Sequence, residues 1–471
     1  MSLIDYTREP HSDIAFFDIK SFYASVECVE RGLNPLTTSL CVMSSAANSK
    51  GLILASSPTF KRVFGKDNVG RVYDLPFDVQ TRRYQYQRAQ QKGIYLSPSQ
   101  IREIESWAKR TLFVPPRMAL YIDRNLKIQR LLQNFAPGQD IYPYSIDEGF
   151  IDLTKSLNYF VASQQLSRRH KLALVANRIQ QQIWRETGLF AAIGMSNANP
   201  LLAKLALDNE AKKSPLLRAN WSYEDVPMKV WAINDLTDFW GIGSRMARRL
   251  NKMGIQTIYD LAHANPDELK RELGIIGVQL YFHANGVDES QLGRPYRPKS
   301  KAIGNSQILP RDYHHLHEIE IVLAEMAEQV AIRLRRAQLK ATSVSLYVGF
   351  SKTASHKSIQ VQCRITPTQA NRPLIRCVLS LFRQNYLGGP VRQIGIRYGG
   401  LINERYHIYS LFEDSDLMDK ETQLDHAVDQ IRQRFGHVAV LKANALQEGS
   451  RVRERSKLIG GHSAGGLEGL N

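Results

Sequence analysis

In the run Tyr144-Ser145-Ile146-Asp147-Glu148-Gly149-Phe150-Ile151-Asp152-Leu153, two adjacent carboxylates interrupt a strand-like sequence. Neighbouring side chains in a strand point to opposite faces, so such a pair belongs at a strand end or bend. Upstream, Asp18 closes the apolar run Ile14-Ala15-Phe16-Phe17, which reads as a buried strand. If the two strands lie side by side, Asp18, Asp147 and Glu148 converge at one sheet edge. Packed carboxylates repel one another unless a hard cation sits among them, and Mg²⁺ shared with substrate phosphates is the usual solution. Two such ions, about 4 Å apart, can activate a nucleophile and stabilise a leaving pyrophosphate. Adjacent Asp-Glu pairs are also common on surfaces. Here the flanks Ile146, Phe150 and Ile151, and Phe16-Phe17 before Asp18, favour the metal reading, because an unpaired buried charge is costly.

A chain of 471 residues is too long for one core, so several domains are expected. Its net charge of +17 favours a polyanionic partner. The Lys and Arg are dispersed, which fits neither a basic arm nor a membrane-surface segment. Cys28, Cys41, Cys363 and Cys377 form no Cys-x-x-Cys pair, so neither a zinc site nor a disulfide framework is expected. A reduced, cytoplasmic setting follows as the default. Met1-Ser2-Leu3-Ile4-Asp5-Tyr6 carries no signal-peptide pattern, and no apolar run approaches the roughly 20 residues that span a bilayer.

Along the chain, the spacing predicts a strand and helix over 13–29, a short strand Leu52-Ile53-Leu54, helices over 117–135 and 171–186, a strand at 190–194, and a helix from Pro200. Strands alternating with helices suggest an α/β or α+β core. From about 222 the pattern turns helical. Phe239-Trp240-Gly241-Ile242-Gly243-Ser244 reads as a Gly-x-Gly turn between two helices, and Gly274-Ile275-Ile276-Gly277 as a second turn. Residues 288–302 read as a basic linker. Beyond it, alternation at 343–350, 359–365 and 394–398, with helices over 318–339 and 368–385, predicts a half-exposed sheet with helices on its other face. Residues 296–412 hold 17 Lys and Arg against 6 Asp and Glu, which is +11 of the +17. The remainder holds one helix over 420–435, which is expected to dock, and a Gly-rich mobile end.

The Gly241-Ile242-Gly243 turn is suited to phosphate: small residues let the backbone approach, and the next helix presents free N–H groups. Arg245, Arg248 and Arg249 support that use over a plain αα-hairpin, and such a contact carries affinity without base readout. Three other patterns are read as incidental. Asp208-Asn209-Glu210 has an exonuclease-like spacing but lies in a helical run without further acids. His314-His315-Leu316-His317 lacks further ligands nearby and reads as an exposed polar segment. No Gly-x-x-x-x-Gly-Lys-[Ser/Thr] loop is present, which argues against an ATP-driven motor.

Taken in order, Asp18-Ile19-Lys20-Ser21-Phe22-Tyr23-Ala24-Ser25-Val26-Glu27, then Ser145-Ile146-Asp147-Glu148, then Gly241-Ile242-Gly243 resemble the Y-family translesion DNA polymerases, most of all the UmuC-type bacterial members, plasmid- and phage-borne ones included. The resemblance covers about residues 13–412. It implies an α+β, multidomain right-hand polymerase, with the palm at 1–30 and 114–221 and the fingers at 31–113. A helix-hairpin-helix thumb would come next at 222–295 and a little finger at 296–412, before a tail at 413–471. It implies that Asp18, Asp147 and Glu148, with the Ile19 carbonyl, hold two Mg²⁺ ions. Phe22 and Tyr23 would lie beneath the incoming sugar, Tyr23 as the steric gate against a ribose 2′-hydroxyl. Arg62 and Lys212 match triphosphate contacts, with Lys213 open as the alternative to Lys212. Thr59 stands where several members have a triphosphate-binding tyrosine. Gly241, Gly243, Arg245 and Arg248 would contact DNA.

Residues 78–110 exceed what minimal family members carry and form an insertion of unknown role. Ile408-Tyr409-Ser410-Leu411-Phe412 keeps the apolar end of a clamp-binding motif, Leu411-Phe412, but lacks its usual Gln. The expected function is template-directed addition of dNMP to a primer in DNA damage tolerance, with low fidelity since no proofreading domain is visible. Primer–template DNA and dNTP are the expected ligands, with a sliding clamp, a UmuD-like protein and RecA as candidate partners. The rival reading is a catalytically silent DNA-binding accessory subunit, which has no use for three clustered acids. A nucleotidyl cyclase would share the acids but not the hairpin or the basic C-terminal domain.

Overall fold

The run Ile14–Ile19 is apolar at every position but Asp18, so it needs cover on both faces and a strand on each side. It has both. The computed structural model describes residues 4–44, 51–65, 70–294, 298, 301–352, 354, 358–405 and 415–463, with backbone alone for 415–418. Two compact units divide the chain at 295/296.

In the first unit, β1 (Ile14–Ile19) leads into the helix Phe22–Val29 through Ser21, whose φ is +51°. A separate sheet comes next, formed by β2 (Leu40–Met43), β3 (Leu52–Ser56), β4 (Gly70–Arg71) and β5 (Leu112–Val114) in the order β4-β3-β2-β5. The chain then returns with β6 (Ile141–Pro143), β7 (Glu148–Asp152), β8 (Ala191–Ser196) and β9 (Arg218–Asn220). These complete the sheet β6-β7-β1-β8-β9, in which β1 is central. Register sets Phe16 opposite Phe150 and Asp18 opposite Glu148.

Helix Pro200–Ala206 lies on the Phe16 face, capped by Asn199, and continues as a wider π turn over Leu207–Ala211. It packs backbone to backbone on β8: a Cβ at Gly194 would stand 2.1 Å from the Ala203 carbonyl oxygen. Only glycine permits this approach. The same core runs on through Trp221, Val226, Phe239 and Leu250 into the helices Ser244–Lys252, Ile258–Ala262, Pro266–Leu273 and Ile275–Ala284. The Gly-x-Gly turn is present, with Gly241 at φ +96°. Before it stands a single 3-10 turn, Leu236–Asp238, and not the helix the sequence suggests. Asp235 accepts the Thr237 N–H at 2.8 Å and so starts the turn locally.

The 78–110 segment is well pinned. Arg82, at φ +60°, lies 4.2 Å over the Phe113 ring and donates to the Ala108 carbonyl at 3.1 Å. Tyr84 bridges back to Phe77, and helix Pro98–Arg110 begins in a Ser97–Gln100 capping box.

The second unit is an antiparallel sheet of β10 (Ile303–Tyr313), β11 (Leu339–Phe350), β12 (Ser358–Thr368) and β13 (Val391–Gly399), ordered β10-β13-β11-β12. Val344, Leu346, Val348, Ile394, Ile396 and Tyr398 face the helices Leu316–Arg336 and Asn371–Asn385. Gln360, Gln362, Ser345, Tyr347, Gly395 and Arg397 line a shallow hollow on the opposite face. Strand β10 was not expected. Its register puts Asn305 and Gln307 opposite the core residues Ile396 and Ile394, which spoils the alternation, and Pro310 is tolerated because β10 is an edge. His317 meets Gln447 at 3.0 Å, which fits the polar reading of the histidine run.

The C-terminal segment docks further than expected. Helix Ser415–Phe435 begins five residues earlier than the sequence suggests, and it and residues 436–455 lie against Leu316–Arg336. Buried Arg335 binds Asp429 at 2.6 Å and Asp425 at 3.6 Å. Glu328 takes Arg432 at 2.7 Å and Lys442 at 2.9 Å, and Glu325 accepts from Ser450 at 2.5 Å. Gly460 and Gly461 sit in a small hairpin, Leu458–Ile459 against His462–Ser463. Arg335→Ala should therefore leave two acids without their cation and cost the second unit about 3–5 kcal/mol. Urea denaturation would reveal this as a lower midpoint at unchanged slope, whereas an unmoved midpoint would deny the pairing any stabilising role.

Candidate active site

The acid edge is built by backbone hydrogen bonds. Tyr144 N–H and Ser145 N–H both donate to the Glu148 carbonyl, at 3.0 Å each, which folds residues 145–147 into a tight turn at the head of β7. Ile19 N–H donates to the Asp147 carbonyl at 2.9 Å, so the turn is tied to the end of β1. Glu148 and Asp18 are direct cross-strand partners on one face. Asp147 is pushed above the usual aspartate range by burial; the Ser145 hydroxyl, 2.8 Å away, works against that, and the charges of Asp18 and Glu148 add to it.

Helix 200–211 supplies the counter-charge. Lys204 is buried, with Nζ 3.0 Å from Glu148, 3.2 Å from Asp208 and 4.4 Å over the Phe16 ring. Lys212 Nζ lies 3.0 Å from Asp18 and 2.9 Å from Asp208. Burial works against its charge, but Asp18 and Asp208 outweigh it and hold Lys212 above the ordinary lysine range. Asp208 is thus no exonuclease acid: it bridges two lysines, while Glu210 turns away to Lys229 at 2.8 Å and Trp221 at 2.6 Å.

A cleft of about 1270 Å³ is lined by Asp18, Ile19, Phe22, Tyr23, Arg62, Asp147, Asp208, Lys212, Lys213, Gly241 and Gly243, with Glu148 held beside Asp18 and bound to Lys204 behind the lining. Among the described residues no three acidic, His or Cys side chains close on one point as a ready cage, because Lys204 and Lys212 draw Glu148 and Asp18 to themselves. The donor set still fits Mg²⁺, which binds through one or two carboxylates plus substrate phosphates and seldom uses an all-protein cage. Burial first, and then the charges of Asp18 and Glu148, disfavour the ionised form of Asp147, and a cation beside it would offset both.

Tyr23 stacks on Tyr121, with ring centroids 4.4 Å apart at 16°, and Phe22 is buried beside both. Arg62 is exposed and lines the cleft from helix Pro58–Phe64. Thr59 is a correction. It is 1% exposed and donates its hydroxyl to the Leu36 carbonyl at 2.7 Å, so it faces the interior and not the cleft. A Cβ at Gly243 would meet nothing within 4 Å, so the backbone there is open to a ligand. Arg245 and Arg248 are exposed on the following helix, while Arg249 is spent on the Glu272 carbonyl at 2.7 Å. Leu411 and Phe412 lie outside the described residues.

Sequence reasoning missed Glu27, Tyr121, Lys204 and the role of Asp208. Glu27 was visible as a charge flanked by Val26 and Cys28 in an apolar helix. Fully buried, it accepts two bonds from Arg117 (2.9 and 2.7 Å), one from Tyr121 (2.8 Å) and one from Arg31. The Tyr121 ring so fixed is the platform on which Tyr23 stacks.

An acid-edged sheet facing a cationic helix, with a glycine hairpin on the same cleft, is the arrangement of a nucleotidyl-transferring polymerase. The impB/mucB/samB family profile matches residues 17–208, and that family's C-terminal domain matches 300–411. Residues 237–288 match a thumb domain described as that of DNA polymerase-iota. The chain is 35% identical to the putative UV-damage repair protein UvrX of Bacillus subtilis, over 98% of this chain and the whole of that one. It is 32% identical to DNA polymerase IV 2 of Bacillus subtilis, over 95% and 98% of the two chains. A solved Y-family DNA polymerase chimera shares the fold at a TM-score of 0.59 and 19% identity, covering 83% of this chain and 99% of that one. The chain belongs to the impB/mucB/samB family, the Y-family polymerases of UmuC type. No described helix is long and apolar enough to cross a membrane.

Glu27→Gln tests the platform. Burial alone would raise the Glu27 pKa, but the bonds from Arg117, Arg31 and Tyr121 prevail and hold it below the ordinary 4.5. The unfolded chain therefore takes up the proton first. The stabilisation is complete above pH 4.5 and is lost as pH falls through the depressed native value. At pH 7 the variant should be about 3–5 kcal/mol less stable, the cost of breaking a buried pair. Denaturation at several pH values should find the gap narrowing below about pH 4; a gap independent of pH would refute the ionic account.

Proposed function

We propose that this protein is a template-directed DNA polymerase of the error-prone translesion type, which adds dNMP to a primer 3′ end in DNA damage tolerance. The observation that carries the reading is the β1–β7 pairing, which puts Asp18 and Glu148 side by side with Asp147 at the adjoining turn, where Asp18 and Asp147 line a cleft that also holds Arg62, Lys212 and Lys213. Relatives of nearly equal length named as repair proteins and DNA polymerases support it. In this reading the palm is 1–30 and 114–221, the fingers 31–113, the thumb 222–295 and the little finger 296–412.

Asp18, Asp147, Glu148 and the Ile19 carbonyl would hold two Mg²⁺ ions. When bound, such ions favour the 3′-alkoxide and neutralise charge on the triphosphate. The chain's own residues do the rest. Arg62 and Lys212, with Lys213 beside it, bind the triphosphate from two different elements of the cleft lining. Lys212 exchanges one anion for another there, since a triphosphate competes with Asp18 for its ammonium. The rigid Tyr23 ring, backed by Tyr121, leaves no room for a 2′-hydroxyl. Gly241, Gly243, Arg245 and Arg248 hold a DNA backbone phosphate through free N–H groups and cationic side chains, without reading sequence. On the second unit, the open face carrying Tyr347 and Arg397 is made mostly of small and polar residues with one cation, which suits a duplex backbone. Primer–template DNA and dNTP are the ligands; a sliding clamp, a UmuD-like protein and RecA stay as candidate partners on sequence grounds alone.

Asp18→Ala, Asp147→Ala and Glu148→Ala should each cut primer extension by roughly a thousandfold or more, the loss expected when several kcal/mol of charge stabilisation disappears. DNA affinity measured by anisotropy should hardly change. An Asp147→Ala enzyme that still extends primers would refute the site. Tyr23→Ala should raise ribonucleotide over deoxyribonucleotide insertion about tenfold to a hundredfold, the scale of a lost steric contact. An unchanged sugar preference would assign the gate to another residue.

A further inference from the structure

The segment between β4 and helix Pro98–Arg110 contributes no residue to the cleft, yet it is firmly built and presents an unusual surface. Tyr73, Tyr86 and Tyr95 are 42%, 60% and 80% exposed. These rings do not hold the fold together. Their neighbours do: Phe77 and Tyr84 are buried, and the edge of the Tyr86 ring meets Tyr84 at 5.0 Å. The Arg88 guanidinium donates to the Tyr73 carbonyl at 2.9 Å, and Ile94 N–H to Ala89 at 2.9 Å, so the stretches bearing Tyr73, Tyr86 and Tyr95 are fastened together.

Charge sorts the same way. Residues 71–97 hold five Lys and Arg against two acids. Both acids are turned onto backbone: Asp74 accepts from Arg71 N–H at 2.9 Å, and Asp78 from Thr81 N–H at 2.8 Å. Arg83 and Lys92 stand exposed beside the tyrosines. The surface also adjoins the cleft. Ile53 to Ser56 of β3 line the cleft, β4 pairs with β3 through Leu52 and Arg71, and Tyr73 follows directly.

Rigid exposed aromatic rings among cations take unpaired bases on their faces, while the cations take the phosphates. A duplex offers no free base face, so the chemistry selects a single strand. We propose that residues 71–95 bind the single-stranded stretch of the template, with bases stacked on Tyr86 and Tyr95 and phosphates paired to Arg83 and Lys92. The proposal rests on the polymerase reading above and gives the 78–110 insertion a task.

The test uses the full chain and a hairpin primer–template with a 5′ overhang of either two or twelve thymidines. Anisotropy titrations should find the long overhang bound about tenfold tighter, the lower range for stacking one or two bases. Tyr86→Ala/Tyr95→Ala should bind both substrates with the wild-type affinity for the short one. Tyr86→Phe/Tyr95→Phe should keep the preference. Insertion of one nucleotide on the short-overhang substrate, at saturating DNA, should match wild type in both variants. A wild type indifferent to overhang length, or a double alanine variant that keeps the preference, overturns the proposal and assigns the surface to another occupant, a protein among them. Slowed insertion on the short overhang would make these tyrosines supports of the active site and overturn it equally. Should no protein extend the primer while the overhang preference still depends on the tyrosines, the surface stands and the polymerase reading falls.

Discussion

Antiparallel pairing of β1 with β7 forces Asp18 and Glu148 side by side, with Asp147 in the turn that precedes them. Such proximity is unfavourable by itself, and much of the first unit answers it. Lys204 and Lys212 rise from one helix, eight residues apart, each shared between a sheet acid and Asp208. The helix can serve the sheet edge only because Gly194 lets its backbone sit against β8. Lys204 is buried and pinned over Phe16, so it reads as a fixed counter-charge; Lys212 lines the cleft and can be drawn away by an anionic ligand.

A second buried charge cluster fixes the aromatic part of the cleft lining. Glu27 binds two arginines and Tyr121, and Tyr121 carries Tyr23. Discrimination against a small added group requires a ring that does not yield, and a buried, fully bonded carboxylate is a stiff mount for one. In the second unit, ion pairs serve a different end. Two acids of helix Leu316–Arg336 are taken up by the C-terminal segment, Glu328 by Arg432 and Lys442, and Glu325 by the Ser450 hydroxyl and the Arg451 N–H. Arg397 on the open sheet face has no such partner among the described residues, which leaves its charge for an external anion.

Much of this was legible beforehand. Asp18 and Asp147-Glu148 declared themselves because charges stood inside apolar runs, and burial makes such placement costly without a use. The Gly-x-Gly turn and the alternating strands of the second unit followed from local backbone rules. Where reading failed, the cause was non-local. Polar Asn305 and Gln307 hid β10, although its pairing with β13 is what makes it a strand. Thr59 and Arg62, three residues apart, lie near one face of helix Pro58–Phe64, and only the tertiary bond from Thr59 to the Leu36 carbonyl turns Thr59 away from the cleft that Arg62 lines.

By itself the sequence determined which groups this protein has to reconcile: three acids beside apolar strands, a basic C-terminal domain and a glycine hairpin. Periodicity and composition are properties of neighbours in the chain, so they carry that information. Tertiary structure alone decided which lysine answers which acid, that Asp208 joins two of them, and that Glu27 mounts Tyr23 through a residue 94 positions away from Glu27. Those pairings depend on distances across the fold, which no window of sequence contains.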